Sequence, residues 1–110
     1  MKLYHNPRCG KSRQALALLE GKEVEVVEYL KYPLNVGELK SLISKIGIRP
    51  IDLVRKGEAA FKENFKGKDL SDDEWIAAMI EFPKLMERPI LEKGDKAVVG
   101  RPPEDILDLL

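Results

Sequence analysis

The chain has 110 residues, of which 44% are hydrophobic and 35% charged, and its 19 basic residues balance 19 acidic ones. This size and composition predict one globular domain spanning residues 1–110. Balanced charge gives no indication of nucleic-acid binding, no apolar run is long enough to span a membrane, and the first residues lack the apolar core of a signal peptide. A single cysteine excludes an internal disulfide and fits a reducing cytosol, so we expect a cytoplasmic protein.

The first third of the chain is predicted to form a βαβ unit. Residues 2–5 (KLYH) favour a short strand that is broken by Asn6 and Pro7. A helix is expected from Gly10, with Gly21 at its C-terminal end. Residues 24–30 (VEVVEYL) are rich in β-branched side chains and favour a second strand. Strand, helix and strand in this order are typical of two parallel strands joined by a crossover.

Residues 34–86 are predicted to form a helical block. Asn35 followed by Glu38 indicates one helix start, and Ser71 followed by Glu74 is a capping box at another. Apolar residues then recur at helical spacing after each cap, and Gly47 ends the first of these helices. Short helical turns are expected between the two.

The last part of the chain returns to strands and one helix. Residues 89–92 (PILE) and 96–100 (KAVVG) flank the turn 93–95 (KGD), which indicates a hairpin. Pro102 and Pro103 open a final helix, where the missing N–H of proline does no harm. A βαβ unit (residues 1–33) and a ββα unit (residues 87–110) sharing one sheet predict an α/β, thioredoxin-like fold with residues 34–86 inserted.

The one cysteine, Cys9, lies between the first strand and the first helix, so the first-turn N–H groups and the helix dipole point at its sulfur. Residues 1–13 contain no acid and four basic side chains, namely Lys2, Arg8, Lys11 and Arg13. Both features favour thiolate over thiol. A buried structural cysteine is the alternative, but residues 6–13 (NPRCGKSR) offer it no apolar neighbours.

Two polar residues near the cysteine have predicted supporting roles. Ser12 lies three residues into the helix and can donate its hydroxyl to the sulfur or to a bound anion. His5, at the strand end, can act as a donor or, when protonated, as a positive charge. A metal site is not expected, because the chain has no further histidine or cysteine to complete a ligand set.

A redox cycle in this chain needs a thiol from outside. If the substrate oxidises Cys9, no second thiol in the chain can form a disulfide with it. A reductive cycle therefore passes through a mixed disulfide with an external thiol such as glutathione, and a thiol–disulfide exchange protein resets it.

Residues 4–13 (YHNPRCGKSR) resemble the active-site motif of the glutaredoxin-coupled arsenate reductases. The resemblance continues through LVRKGEAAF, KLMERPI and VVGRPPEDILDLL, so it covers essentially the whole chain. It is closest to a short subgroup that ends with this last helix and lacks the C-terminal segment of longer members.

The resemblance implies a role for each matching residue. Cys9 matches the catalytic nucleophile and His5 the histidine that tunes it, while Asn6 and Ser12 match residues that line the pocket. The three arginines that hold the oxyanion match Arg55, Arg88 and Arg101, and the bond before Pro89 matches a cis-proline position. Taken singly, each arginine more often forms a surface salt bridge. Arg88 and Arg101 gain support because they flank the predicted hairpin, whereas Arg55 rests on the resemblance alone.

The resemblance implies reduction of arsenate to arsenite, with glutathione as co-substrate, glutaredoxin as partner and no bound cofactor, by a protein expected to be monomeric. Three alternatives stay open. One is a glutathione-linked thiol oxidoreductase acting on other substrates. Another is a redox-sensing regulator that binds RNA polymerase, although such regulators typically carry Cys-x-x-Cys, and this chain has Ser12 at the second position. The third is a catalytically silent scaffold.

Overall fold

The computed structural model describes all 110 residues, from Met1 to Leu110. Four short strands form one sheet: β1 (Lys2–Tyr4), β2 (Glu25–Val27), β3 (Ile90–Lys93) and β4 (Lys96–Val99). Four α-helices surround it: α1 (Gly10–Leu18), α2 (Val36–Ile46), α3 (Ala59–Asn64) and α4 (Asp72–Glu81). Three 3₁₀ helices complete the structure: Pro50–Leu53, Pro83–Leu85 and Pro103–Leu109. None of the helices is long and apolar enough to cross a membrane.

The sheet has the order β2-β1-β3-β4, with β1 and β2 parallel and the remaining pairs antiparallel. Leu3 at the centre of β1 lies opposite Val26 of β2 and Leu91 of β3. The predicted βαβ and ββα units therefore share one sheet, and the predicted α/β, thioredoxin-like fold is confirmed.

Alternating side chains of the short strands serve both faces of the sheet. Leu3 and Leu91 pack with α1 and the C-terminal 3₁₀ helix in a cluster that also contains Ala15, Leu19 and Ile106. Tyr4 and Ile90 point to the opposite face, where α2 and α4 complete a larger cluster of 15 buried residues. The helices between β2 and β3 thus cover one face of the sheet.

Several element boundaries follow from capping. Asn35 and Ser71 each accept the N–H of the glutamate three residues on, forming the capping boxes of α2 and α4. Gly47 ends α2 at a φ of 81°, in the left-handed region that glycine adopts without steric cost. The hairpin turn likewise has Gly94 at a φ of 62°.

Two predicted boundaries differ from the structure by more than one residue, and one helix differs in type. The second strand is Glu25–Val27 rather than residues 24–30. The chain turns at Glu28, because the Glu28 carbonyl accepts the N–H groups of Lys31 and Tyr32. Helix α1 ends at Leu18, and Gly21 lies in the turn that follows, at a φ of 82°. The C-terminal helix is of the 3₁₀ type.

Candidate functional site

The topology brings three separate segments to one end of the sheet. Tyr4 at the end of β1 pairs with Ile90 at the start of β3, and Ile90 pairs with Val99 at the end of β4. The three segments therefore leave the sheet at the same end. They are the loop that carries Cys9, the segment with Arg88 and the segment with Arg101.

The loop between β1 and α1 is held by its own hydrogen bonds. The N–H of Cys9 donates to the Asn6 carbonyl at 3.0 Å, and the N–H of Arg8 donates to the Asn6 side chain at 3.0 Å. A guanidinium nitrogen of Arg13 donates to the Pro7 carbonyl at 2.9 Å. Arg13 thus braces the loop, and the loop presents Cys9 as the N-cap residue of α1.

His5 and Ser12 form a buried polar pair beneath the loop, with exposed fractions of 5% and 0%. The Ser12 hydroxyl lies 2.7 Å from Nδ1 of His5 and accepts the backbone N–H of Asn6 at 3.0 Å. Burial holds the pKa of His5 below its ordinary value of 6.5, although the Glu28 carboxylate acts in the opposite direction. His5 is therefore neutral at pH 7, and its Nδ1 is hydrogen-bonded to Ser12.

The environment of Cys9 favours the thiolate. Burial of the thiol raises its pKa, but the backbone N–H groups of Ser12 and Lys11 and the charge of Arg88 together outweigh that effect. The net result is a pKa of Cys9 below its ordinary value, as predicted. The helix position contributes as expected, but the charge that acts on the sulfur is that of Arg88 and not that of the four basic residues nearby in the chain. The thiol is free and half-buried, so it is open to attack a substrate.

Arg88 and Arg101 both approach Cys9, Arg88 in the same depression and Arg101 at the sulfur itself. Nη2 of Arg101 lies 3.9 Å from the Cys9 sulfur, and Nε of Arg101 donates to the Arg88 carbonyl at 3.0 Å. Each of these arginines precedes a cis-proline, at Arg88–Pro89 as the resemblance implies and at Arg101–Pro102, which was not expected. The two ends of the hairpin are thus fixed to each other next to Cys9.

Arg55 reaches the site through a pairing that sequence reasoning did not identify. Val54 forms an isolated antiparallel bridge with Met86, the N–H of Arg55 donates to the Leu85 carbonyl at 2.7 Å, and the N–H of Glu87 donates to the Leu53 carbonyl at 2.8 Å. This pairing joins the helical block to the segment just before Arg88. It gives Arg55 the structural support that the sequence alone could not.

Glu87 is a site residue that sequence reasoning missed. Its carboxylate oxygens lie 3.7 Å from Nε of Arg55, 3.8 Å from Nη1 of Arg88 and 3.1 Å from Nε of Arg101. Arg55 also pairs with Glu58 at 3.2 Å. The only sequence signal for a role of Glu87 was its position next to Arg88 in the motif ERPI. Its other two partners, Arg55 and Arg101, are distant in sequence.

Two adjoining depressions meet at Arg55, Glu58 and Arg88. The larger, of about 630 Å³, contains His5, Asn6 and Cys9, and the smaller, of about 540 Å³, contains Glu87 and Arg101. Ser12 does not line either one, because its side chain is fully buried under the loop. The expectation that Ser12 lines the pocket is corrected: it supports His5 and Asn6 from below.

The remaining predicted site residues are brought together. Cys9, His5, Asn6, Arg55, Arg88 and Arg101 all lie on these two connected surfaces. No group of three or more histidine, cysteine, aspartate or glutamate side chains is arranged so that it could hold a metal ion. The site combines a thiol of lowered pKa with three guanidinium groups, an arrangement suited to nucleophilic attack on a bound anion.

Comparisons with known proteins show what the chain is similar to. The model of the ArsC family matches residues 4–109. An arsenate reductase of Haemophilus influenzae is 44% identical over 98% of this chain and 97% of its own length. An uncharacterized protein of Escherichia coli, YfgD, is 45% identical over 100% of this chain and 96% of its own length. The solved structure of an arsenate reductase from Vibrio cholerae superposes with a TM-score of 0.93 at 45% identity, covering 100% of this chain and 98% of that one.

Proposed function

The chain belongs to the ArsC family, and from that premise we propose that it reduces arsenate to arsenite with Cys9 as the nucleophile. Arg55, Arg88 and Arg101 hold the oxyanion, while His5, Asn6 and Ser12 maintain the loop that presents the sulfur. Glutathione is the co-substrate and glutaredoxin resets the enzyme. The arsenate reductases among its relatives support the substrate assignment.

The observation that carries the proposal is the state of Arg88. Only 11% of its side chain is exposed, its Nε is buried without a hydrogen-bond partner, and its one ion pair, to Glu87, is 3.8 Å long. That distance is too long for a hydrogen bond. A buried guanidinium with unused donors is costly unless it meets acceptors, and a tetrahedral oxyanion supplies several. Arg88 helps to lower the pKa of Cys9, and both residues line the same depression.

The first chemical step joins sulfur to arsenic. The Cys9 thiolate attacks As(V), an S–As bond forms, and one arsenate oxygen leaves with protons as water. Guanidinium groups already in position stabilise the negative charge that builds up on the arsenate oxygens during the attack. The thiolate form matters because it is the nucleophile, and its lowered pKa increases the fraction present at neutral pH.

The second step moves two electrons to arsenic. A glutathione thiolate attacks the Cys9 sulfur, a disulfide forms, and the electron pair of the S–As bond stays on arsenic as As(III). Arsenite then departs and Cys9 is left as a mixed disulfide with glutathione. Because the chain has no other thiol, glutaredoxin attacks the glutathione sulfur and releases the Cys9 thiolate.

The same account includes three further proposals. The reaction takes place in the cytoplasm, where glutathione keeps thiols reduced. The chain works as a monomer, because one copy supplies Cys9, His5 and all three arginines. No bound cofactor is needed, because the two electrons come from glutathione.

The proposal is tested by following NADPH oxidation in the presence of arsenate, glutathione, glutaredoxin and glutathione reductase. We expect arsenate-dependent oxidation that is lost in Cys9→Ser. Arg88→Ala should reduce kcat/KM for arsenate by about 100-fold or more, the usual effect of removing one preorganised donor. Arg49→Ala, which removes an arginine from an exposed pair with Asp72, is the matched control and should leave turnover unchanged.

A glutathione-linked thiol oxidoreductase is the second candidate, and the half-buried Cys9 with its lowered pKa is the observation that favours it. The two functions differ in what the arginines do. If Arg88→Ala slows reduction of a glutathione mixed disulfide as much as it slows arsenate turnover, the arginines serve thiol exchange in general. If only arsenate turnover falls, they serve the oxyanion.

A further inference from the structure

We infer that Glu87 is a built-in counterion that limits how tightly the arginine site binds any oxyanion. The inference rests on the proposed function only in assigning Arg55, Arg88 and Arg101 to an anion. It concerns a residue with no role in the reaction as described so far, and it makes Glu87 a determinant of the affinity for anions.

The geometry places one carboxylate among three guanidinium groups. Glu87 lies within 4 Å of all three arginines, and its closest approach, 3.1 Å, is to the arginine that also approaches the Cys9 sulfur. Its side chain is three-quarters buried, with 25% exposed. At these distances and this degree of burial, charge–charge interactions are screened far less than on an open surface.

The backbone of Glu87 is held by pairing with the helical block, because its N–H donates to the Leu53 carbonyl at 2.8 Å. The carboxylate itself is held by its ion pairs with the three arginines. An incoming anion therefore shares the guanidinium groups with Glu87, and like charges in one site repel each other.

This arrangement affects how strongly phosphate and arsenate occupy the site. Arsenate and phosphate are tetrahedral anions of the same charge, so the arginines alone attract both. The reaction distinguishes the two anions, because only arsenic accepts the electron pair of the S–As bond when that bond breaks. A site with three uncompensated arginines would be occupied by phosphate. Glu87 weakens the binding of both anions and leaves discrimination to the thiolate chemistry.

The test measures phosphate binding by isothermal titration calorimetry to the wild-type protein and to Glu87→Gln, which keeps the shape of the side chain and removes its charge. We expect the Kd for phosphate to fall about tenfold or more, because one close like charge is removed. The KM for arsenate should fall in parallel. A residue that only held the fold together could not tighten binding when substituted.

Two control variants separate the effect from a general change in charge. Glu58→Gln removes a carboxylate that pairs with Arg55 alone and should tighten phosphate binding less. Glu20→Gln removes an exposed carboxylate after α1 and should leave the Kd unchanged. An equal effect in all three variants would overturn the inference.

The remaining outcomes are also decisive. An unchanged or higher Kd for phosphate in Glu87→Gln, or no detectable binding by either protein, would overturn the inference. Tighter phosphate binding without arsenate turnover in any variant would contradict the proposed function but support the role of Glu87. The two can therefore fail separately.

Discussion

At the scale of single residues, Cys9 owes its reactivity both to neighbours in the chain and to a residue that is distant in sequence. The N–H groups of Lys11 and Ser12 are neighbours in the chain, whereas Arg88 arrives from the other side of the helical block. All of them stabilise the thiolate and so oppose the effect of burial. The reactivity of the sulfur is thus partly local and partly a product of the fold.

Replacing Arg88 with glutamine separates these contributions. Because a nearby positive charge favours the thiolate, its loss should raise the apparent pKa of Cys9. The measurement is the rate of alkylation by iodoacetamide as a function of pH. Arg49→Gln removes an exposed arginine that pairs with Asp72 and should show the wild-type profile. An identical profile for Arg88→Gln would contradict the contribution of Arg88 to the thiolate.

Ser12→Ala tests the buried support beneath the loop. Its hydroxyl is the partner of both His5 Nδ1 and the Asn6 N–H, so its removal leaves two buried groups unsatisfied. We expect the free energy of unfolding in urea to fall by about 1–3 kcal/mol. Ser44→Ala, on the exposed side of α2, should change it by less than about 0.5 kcal/mol. A Ser12→Ala protein as stable as the wild type would show that the hydroxyl does not brace the loop.

The candidate site could be predicted from the sequence only where its causes are local. Cys9 precedes a helix and has basic neighbours in the chain, so its chemistry was visible. Arg55 depends on the pairing of Val54 with Met86, which joins residues 32 positions apart with no sequence signal. Glu87 is unremarkable until the fold gathers three arginines around it, and Ser12 shows its buried position only once α1 is packed.

At the scale of elements, the site depends on how the hairpin end meets the C-terminal 3₁₀ helix. Gly100 sits at this junction, between β4 and Arg101. A Cβ atom there would lie 2.9 Å from Cγ2 of Ile106 and 3.0 Å from Cγ of Pro89. Both neighbours are buried, and Pro89 directly follows Arg88, so the packing of this glycine also positions two of the arginines.

Gly100→Ala should therefore affect both stability and activity. Overpacking of this kind costs about 1–3 kcal/mol in the free energy of unfolding. The resulting shift of Pro89 or Ile106 should also lower kcat/KM for arsenate. Gly57→Ala is the matched control, because a Cβ there meets no atom within 4 Å. If Gly100→Ala unfolds at the wild-type urea concentration with full activity, this junction does not position the site.

Element types were more predictable than element lengths. The capping boxes at Asn35 and Ser71 are local hydrogen-bond patterns, so the starts of α2 and α4 could be read directly. The end of β2 could not, because VEVVEYL continues to favour a strand after Val27. The structure instead turns there, and Tyr29 becomes buried, with 2% of its surface exposed.

At the scale of the whole molecule, the buried His5 and the half-buried Glu92 link stability to pH. The pKa of His5 lies below 6.5 in the folded chain, mainly because of burial, so the unfolded chain binds that proton first. Burial raises the pKa of Glu92, but its hydrogen bonds with Lys45 and Tyr4 lower it more, to below 4.5. Both groups stabilise the fold above their unfolded pKa values, and both contributions are lost as the pH falls.

We therefore expect the free energy of unfolding to decrease in two separate pH windows. The first begins as the pH falls below 6.5 and belongs to His5. The second begins below 4.5 and belongs to Glu92 together with Glu74, whose pKa is lowered by its hydrogen bonds with Ser71. Urea denaturation of wild type and His5→Gln between pH 7.5 and pH 3.5 checks this. The variant should lose the first decrease and keep the second. A first decrease of equal size in His5→Gln would assign it to another group.

The most direct test of the whole account is a single turnover without glutaredoxin. Wild-type protein is mixed with arsenate and glutathione, and its intact mass is recorded together with the arsenite produced. The account predicts one glutathione bound through Cys9 and one arsenite released per chain, with neither product in Cys9→Ser. Binding of glutathione to the same extent without arsenate would contradict the proposed mechanism. So would arsenite formed without glutathione bound to Cys9.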